Sequence, residues 1–186
     1  MNFAIKLYLW FRKKVLKVDD RSQVEIAVEN GLKLGENVHI LGECIIDPGH
    51  CWLIEIGNNV TLAPRVHILA HDASTKNELG YTRIGRVQIG DDVFIGTGSI
   101  ILPNVEIGNR VIIGAGSVVT HSIPENSVAV GNPARVIKDY DTYMKENKEK
   151  MEHMPLFDSS YIIGTITPEK KQEMQELLNA QSGYIV

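Results

Sequence analysis

Histidine offers the widest range of chemistry in this chain, because a neutral imidazole can accept a proton or ligate a metal near neutral pH. Of the six histidines, His71 stands out because it lies at the edge of a polar segment, HDASTKNELG. A histidine in that position can act as a general base, or it can simply be solvated. His67 and His71 form the string HILAH, which invites a zinc interpretation. No third ligand is evident from the sequence, and we predict no metal site.

The composition and the charge exclude several classes of protein. Of the 186 residues, 44% are hydrophobic and 23% are charged, which is typical of a globular chain. The net charge of -4 provides no basic footprint for nucleic acid. Two cysteines, Cys44 and Cys51, are too few for a disulfide framework, and reduced thiols favour a cytoplasmic protein. No apolar run approaches the ~18–20 residues of a membrane span.

The elements that would position His71 follow from a six-residue repeat. Glycine follows the leading aliphatic residue in four of the six later units, which begin at Ile89, Ile95, Ile101, Ile107, Ile113 and Val119. Earlier units begin at Leu34, Ile40 and Ile46, and then at Ile56, Leu62 and Ile68. A period of six fits neither an α-helix nor a simple β-hairpin. It predicts short strands joined by turns and wound into a coil, with about 18 residues in each coil.

The repeat also predicts which residues form the core. The aliphatic first residue of each unit should point inward and stack on residues one coil away. The small or β-branched fifth residue should also point inward, where a large side chain would not fit. We expect the glycines at the second position to adopt turn conformations with positive φ. Such a narrow core would explain why aromatic residues make up only 6% of the chain.

Segments that lack the repeat divide the chain. We predict an N-terminal helical segment over residues 1–30, a β-helix domain over residues 31–138 and a helical tail over residues 139–186. Within the domain, residues 72–88 leave the repeat as a polar loop. In the tail, a charged helical stretch precedes an extended linker, and Thr167 and Pro168 mark the start of a further helix.

The segment from Met1 to Lys17 is basic and carries no acidic side chain, and it contains the apolar string FAIKLYLWF. A basic helix of this kind can lie on an anionic membrane surface, here the inner face of the membrane. Alternatively, the helix packs its apolar side on the end of the main domain. We favour packing, because one short helix binds membranes weakly.

The hexapeptide pattern over about residues 34–138 resembles that of the hexapeptide-repeat acyltransferases, such as the maltose, galactoside and capsular polysaccharide O-acetyltransferases. The resemblance implies a mainly β fold, a left-handed parallel β-helix, against the usual right-handed crossover rule. It also implies a homotrimer with active sites between subunits. In this family a histidine at the start of the extended loop is the general base, and the matching position here is His71.

The same resemblance implies an acetyl-CoA site near the end of the coil. The string VAVGNPARVI resembles the closing motif of the family, in which Arg135 and Lys138 would offer cations to the phosphates. Alternatively, this turn only caps the open end of the coil. His121 stands where the family often has lysine, which weakens the case for a phosphate contact there. The predicted coenzyme contacts are Thr97, Gly98, Ala115, Thr120, His121, Gly131, Asn132, Pro133, Arg135 and Lys138.

The residues beside the interruptions of the repeat are candidates for contact with the acceptor. They are Asp47, His50, Trp52, Asp72 and Tyr81. Trp52, in an insertion near residues 49–55, could stack on a sugar ring or pack against a neighbouring subunit, and packing is slightly favoured. Asp72 could instead orient the imidazole of His71.

We therefore predict an acetyl-CoA-dependent O-acetyltransferase acting on a sugar hydroxyl, in surface or capsular polysaccharide biosynthesis. The acceptor would be a small-molecule or lipid-linked sugar, and transfer would be direct, in a ternary complex. The alternatives are an N-acetyltransferase acting on an amino sugar or an antibiotic, and a non-catalytic β-helix assembly subunit.

Overall fold

The computed structural model describes residues 22–186, so the basic segment over residues 1–17 lies outside the described residues. The described chain forms two compact units, which divide between Ile137 and Lys138. The described part of the first unit starts with helix α1 (Gln23–Glu29), where Ser22 and Glu25 form a capping box. No helix within the described range is long and apolar enough to cross a membrane.

The first unit continues as a parallel β-helix with three faces. Face 1 is a sheet of β1 (Lys33–Leu34), β4 (Ile54–Ile56), β9 (Val87–Ile89) and β12 (Val105–Ile107). Face 2 contains β2 (His39–Ile40), β5 (Thr61–Leu62), β10 (Phe94–Ile95), β13 (Ile112–Ile113), β15 (Ser127–Gly131) and, at its edge, β16 (Ala134–Asp139). Face 3 contains β3 (Ile45–Ile46), β6 (His67–Ile68), β11 (Ile100–Ile101) and β14 (Val118–Val119). The strands from β1 to β15 that share a face pair in parallel.

The register of these strands confirms the predicted coil of three units. Ile89 pairs with Ile107, the leading residue of the third unit after its own. Leu34 pairs with Ile56 and Ile56 pairs with Ile89, across longer stretches of chain. The extra residues leave the coil at two places and do not shift its register there, because leading residues still meet across both insertions.

The predicted inward positions form the core. The leading residues Ile56, Leu62, Ile68, Ile89, Ile95, Ile101, Ile107, Ile113 and Val119 are all buried. The fifth-position residues Val60, Val66, Val93, Ser99, Val105, Val111, Ser117 and Ile123 are buried as well. The hydroxyls of Ser99 and Ser117 are satisfied, because both donate to the carbonyl oxygen of Gly114.

The predicted role of the second-position glycines is wrong. Positive φ occurs two positions later, for example at Asn59, Asp92 and Gly98. The second-position glycines are instead required by close packing between coils: a Cβ on Gly108 would lie 2.5 Å from the backbone nitrogen of Glu125. Glycine is used there because successive turns stack directly on one another.

The loop predicted over residues 72–88 has its own secondary structure. β7 (His71–Asp72) and β8 (Arg83–Ile84) pair as an antiparallel ribbon. The short helix α2 (Lys76–Leu79) closes the ribbon and ends at Gly80, which has a left-handed conformation. The loop is therefore anchored to the coil at both ends, and His71 is the first residue of its ribbon.

The second unit contains the two predicted tail helices. Helix α3 (Tyr140–Met151) is capped by Asp139, and α4 (Pro168–Leu177) is capped by Thr167 with proline in its first turn. The segment predicted as an extended linker contains β17 (Leu156–Phe157) and a 3₁₀ turn (Ser159–Tyr161). β17 pairs in parallel with the C-terminal strand β18 (Tyr184–Ile185), a long-range pairing that the linker composition does not reveal.

Candidate active site

His71 is paired with a buried carboxylate. Its Nδ1 lies 2.5 Å from Oδ2 of Asp47, which is fully buried. Asp47 follows β3 and His71 follows β6, and these strands are neighbours on face 3 because Ile46 pairs with Ile68. Two residues 24 positions apart in the sequence thus meet at one corner of the β-helix.

The carboxylate of Asp47 is held by main-chain donors. Its Oδ1 accepts hydrogen bonds from the backbone nitrogens of Gly49 (2.9 Å) and His50 (3.0 Å), and its Oδ2 accepts one from Ala70 (2.8 Å). Burial by itself would raise the pKa of Asp47. The hydrogen bonds from Ala70, His71 and Gly49, with the charge that His71 can carry, outweigh burial and lower this pKa below its ordinary value.

This pairing determines which nitrogen of His71 is available for chemistry. An ionised carboxylate only accepts hydrogen bonds, so Nδ1 of His71 must carry a proton that it donates to Asp47. In the neutral imidazole, Nε2 then keeps its lone pair and is the basic nitrogen. The side chain of His71 is 37% exposed, so the ring is supported from behind and still accessible.

Two further rings stand beside His71. The ring of His50 lies 5.0 Å from that of His71 and 5.3 Å from that of Trp52, measured between centroids. Trp52 lies in a 3₁₀ turn (Cys51–Leu53) formed by the additional residues of the first coil, and it is 55% exposed. Nδ1 of His50 is buried and has no hydrogen-bond partner within the described chain.

Asp47, His50 and His71 also form a possible metal-ligand group, since one donor atom from each lies within 4.8 Å of the others. However, both carboxylate oxygens of Asp47 are already occupied by hydrogen bonds, and Nδ1 of His71 is at hydrogen-bond distance from one of them. This arrangement fits a positioned imidazole better than a metal site. The absence of a metal stays a prediction.

The structure reassigns the two aspartates that the sequence placed near the acceptor. Asp47 has no exposed surface and lies behind His71, so it cannot line the acceptor site directly. Asp72 does not contact His71: its carboxylate accepts hydrogen bonds from the backbone nitrogen of Ser74 and from the guanidinium of Arg83, at 2.9 and 2.7 Å. The carboxylate at hydrogen-bond distance from the imidazole of His71 is therefore that of Asp47 and not that of Asp72. Tyr81, in the loop, is 80% exposed.

Comparison with known proteins identifies the family. Residues 86–121 match the family described as bacterial transferase hexapeptide (six repeats). Protein CapG of Staphylococcus aureus is 39% identical over 152 residues, which cover 77% of this chain and 85% of that protein. The chain belongs to the hexapeptide-repeat transferase family. As a member of this family it is an enzyme of the acyltransferase class.

Two solved structures support the family fold. A maltose O-acetyltransferase from Clostridium difficile 630 is 34% identical, with a TM-score of 0.51, over 74% of this chain and 84% of that chain. A hexapeptide-repeat acetyltransferase from Vibrio cholerae, solved with acetyl coenzyme A, shares the fold at 23% identity and a TM-score of 0.51, over 74% of this chain and 85% of that chain. Seven other relatives, named as acetyltransferases, are matched over only 51–64% of their length.

The residues that the family resemblance assigned to the coenzyme lie at the two borders of face 3 and on the last two strands of face 2. Thr97, Gly98 and Ala115 occupy turns between faces 2 and 3. Thr120 and His121 follow β14 at the other border, where Oγ1 of Thr120 lies 2.8 Å from Nδ1 of His121. These two residues line a cavity of about 480 Å³ together with Arg83 and Ile84 of the loop.

The closing motif connects the last two strands of face 2. Gly131 ends β15, and its backbone nitrogen donates to Oγ of Ser117 at 3.1 Å. Asn132 and Pro133 are joined by a cis peptide bond. Arg135 is exposed on β16, and its guanidinium donates to the carbonyl oxygen of Ala134.

Lys138 is less available than predicted. Its ammonium forms an ion pair with Glu146 of helix α3. We did not predict this contact from the sequence. The signal was there, because the helix capped by Asp139 begins directly after Lys138 and carries acidic residues within its reach.

Proposed function

We propose that this protein transfers an acetyl group from acetyl-CoA to a hydroxyl of a sugar, with His71 as the general base. The observation that carries this proposal is the pair of His71 and Asp47, with 2.5 Å between Nδ1 and Oδ2. A solvated surface histidine would have no need of a fully buried carboxylate fixed by three main-chain donors.

The pair would act on the attacking hydroxyl. Nε2 of His71 would take its proton as the oxygen attacks, which is worth roughly 10²–10⁴ in rate. The resulting imidazolium would be stabilised by Asp47, whose lowered pKa keeps the carboxylate ionised at neutral pH. The oxygen would form its new bond to the carbonyl carbon of acetyl-CoA as the C–S bond breaks, and the imidazolium would return its proton to the departing thiolate. This direct route needs no covalent intermediate on the protein.

Acetyl-CoA would supply an activated thioester carbonyl and a thiol leaving group. Open space at the border between faces 2 and 3 supports a path for an extended ligand: among the described residues, none beyond the chain neighbours of Gly98 and Gly116 lies within 4 Å of where their Cβ atoms would stand. Thr97 and Ala115 would flank that path. The exposed guanidinium of Arg135 would bind phosphate oxygens, and the Gly131, Asn132 and Pro133 turn would complete the site.

A homotrimer of left-handed β-helices with shared active sites is the assembly that we propose, by analogy with the family. The outward residues of faces 1 and 3 support it. Face 1 presents Lys33 and Glu55, which form a 3.3 Å ion pair suited to solvent. Face 3 presents the apolar Ile45 and Ile100, which are outward neighbours of His67.

The acceptor would be a sugar of a surface or capsular polysaccharide, or its lipid-linked precursor. This part of the proposal is supported by the similarity to CapG and to the maltose O-acetyltransferase. An amine acceptor can be distinguished from a hydroxyl acceptor with a variant that lacks His71. A deprotonated amine needs less help from a base, so it would still be acetylated by such a variant at high pH.

The function is tested by measuring release of coenzyme A from acetyl-CoA with a panel of sugars. We expect wild-type protein to release coenzyme A with at least one hydroxyl acceptor, and His71→Ala to lose a factor of about 10²–10⁴ in kcat. Full activity of His71→Ala towards hydroxyl acceptors would contradict the mechanism. No release with any acceptor would contradict the function itself.

A further inference from the structure

Trp52 has an exposure that its packing does not explain. Within the 3₁₀ turn, Cys51 is 1% exposed and belongs to the core, whereas the much larger Trp52 between Cys51 and Leu53 is 55% exposed. The turn itself is fixed, because the thiol of Cys51 contacts the carbonyl oxygen of Asn30 at 3.7 Å. An indole presented on a fixed turn is prearranged to contact something outside the chain.

The position of this indole relative to the base is also fixed. The ring of His50 is the neighbour of both the Trp52 ring and the His71 ring, with centroid distances of 5.3 and 5.0 Å. The backbone nitrogen of His50 donates to Asp47, the same carboxylate that holds His71. One buried carboxylate therefore sets the places of both histidines, and the row of three rings ends at an exposed aromatic face.

The chemistry of this row fits a carbohydrate. A pyranose presents an apolar face of C–H groups and a rim of hydroxyls, so it can cover an indole while a hydroxyl points along the surface. A binding site built from an exposed aromatic face and a few fixed polar groups is typical of small-molecule recognition. The partial exposure of His71 allows a hydroxyl from a ligand on Trp52 to reach it.

We propose that Trp52 determines acceptor specificity by stacking against the sugar ring whose neighbouring hydroxyl His71 deprotonates, with His50 as the spacer between them. This inference rests on the proposed function. It assigns Trp52 to the acceptor, and not to the packing against a neighbouring subunit that the sequence favoured.

A direct binding measurement tests the proposal without relying on transfer. The chain has two tryptophans, Trp10 and Trp52, so a Trp10→Phe variant reports on Trp52 alone. In the absence of acetyl-CoA, we expect methyl β-galactoside or maltose to produce a saturable change in tryptophan fluorescence, and glycerol to produce none. If no pyranoside changes the emission, the proposal is wrong.

The kinetic test uses two variants and two kinds of acceptor. Trp52→Ala should raise KM for a pyranoside about tenfold, as expected for the loss of one stacking contact, and raise KM for glycerol, which has no ring to stack, by much less. Trp52→Phe keeps an aromatic face and should retain most of the affinity. Ile163→Ala, which removes a side chain that is 99% exposed in the second unit, serves as the control and should change neither KM.

Three other outcomes separate this inference from the proposed function. If wild-type protein transfers acetyl groups but Trp52→Ala has an unchanged KM for pyranosides, only the role of Trp52 is wrong. If Trp52→Ala raises KM equally for glycerol and lowers the molar mass in light scattering, Trp52 is an interface residue and the inference fails. A wild-type protein that releases no coenzyme A contradicts the proposed function, while the fluorescence titration still decides on Trp52.

Discussion

At the scale of single residues, the site depends on a carboxylate that is the acceptor in all four of its hydrogen bonds. Asp47 accepts from three backbone nitrogens and from His71. An amide in its place cannot reproduce this pattern, because one end of an amide donates. The identity of the side chain at position 47 therefore controls the tautomer of His71 as well as its position.

We expect Asp47→Asn to lower kcat by a factor of about 10² or more. In catalytic triads the same change from aspartate to asparagine lowers kcat because the histidine takes the wrong tautomer. If the amide oxygen accepts from Gly49 and His50, the amide nitrogen faces His71 and forces Nδ1 to accept, which leaves the proton on Nε2 and removes the base. The measurement is kcat with acetyl-CoA and a sugar acceptor. Asp92→Asn, in an exposed turn, is the matched control; an equal loss in both variants would contradict the argument.

The same carboxylate should make stability depend on pH. The pKa of Asp47 is lower in the folded protein than its ordinary value near 4, so the ionised form stabilises the fold above that pH. This stabilisation is lost as the pH falls below the unfolded value and through the folded one. In urea unfolding between pH 7 and pH 3, the free-energy difference between wild type and Asp47→Asn should shrink towards acid pH. A constant difference would show that Asp47 does not titrate in this range.

At the scale of elements, the stacking of turns is as demanding as the stacking of strands. A Cβ at Gly108 would lie 2.5 Å from the backbone of Glu125, whereas a Cβ at Gly42 would meet no atom of a non-adjacent described residue within 4 Å. The two glycines therefore differ in what an added methyl group encounters, although both lie in turns of the coil.

Gly108→Ala should destabilise the protein by about 1–3 kcal/mol, the usual cost of inserting atoms where the structure has no room. Gly42→Ala should change the free energy of unfolding by less than about 0.5 kcal/mol, as other surface changes do. Denaturant unfolding of both variants provides the comparison. Similar stabilities for the two variants would refute the packing explanation of the repeat glycine.

The interruptions of the coil show why only part of the site follows from the repeat. The period places Ile46 and Ile68 in register and so brings Asp47 close to His71. Once the register of the coil is known, the sequence predicts that Asp47 and His71 lie close together, because both residues follow face 3 strands in successive coils. The contact between Asp72 and Arg83 depends on the ribbon inside the loop, for which the repeat carries no information.

At the scale of the whole molecule, the outward residues of the faces differ in chemistry. Ile100 stands between His67 and Val118 on face 3, and Gln88 stands between Glu55 and Glu106 on face 1. Half-buried outward side chains that are mostly apolar, as on face 3, cost solubility on a rigid coil unless another surface covers them. The charged row on face 1 needs no such cover.

We expect light scattering to give a molar mass three times the 20.7 kDa of one chain. Ile100→Lys should reduce the mass to that of one chain and abolish transfer, because the proposed sites lie between subunits. Gln88→Lys on face 1 is the control and should change neither property. A fully active protein with the mass of one chain would contradict the proposed assembly.

The sequence by itself determined the coil and its core, because a strict six-residue period allows only one set of side chains to point inward. It also determined the family, through the repeat and the closing motif. Tertiary structure decided the partners: Asp47 for His71, Arg83 for Asp72 and Glu146 for Lys138. The physical reason is that a repeat specifies which positions are equivalent from coil to coil. A site arises where that equivalence is broken, and there only the folded chain shows which side chains meet.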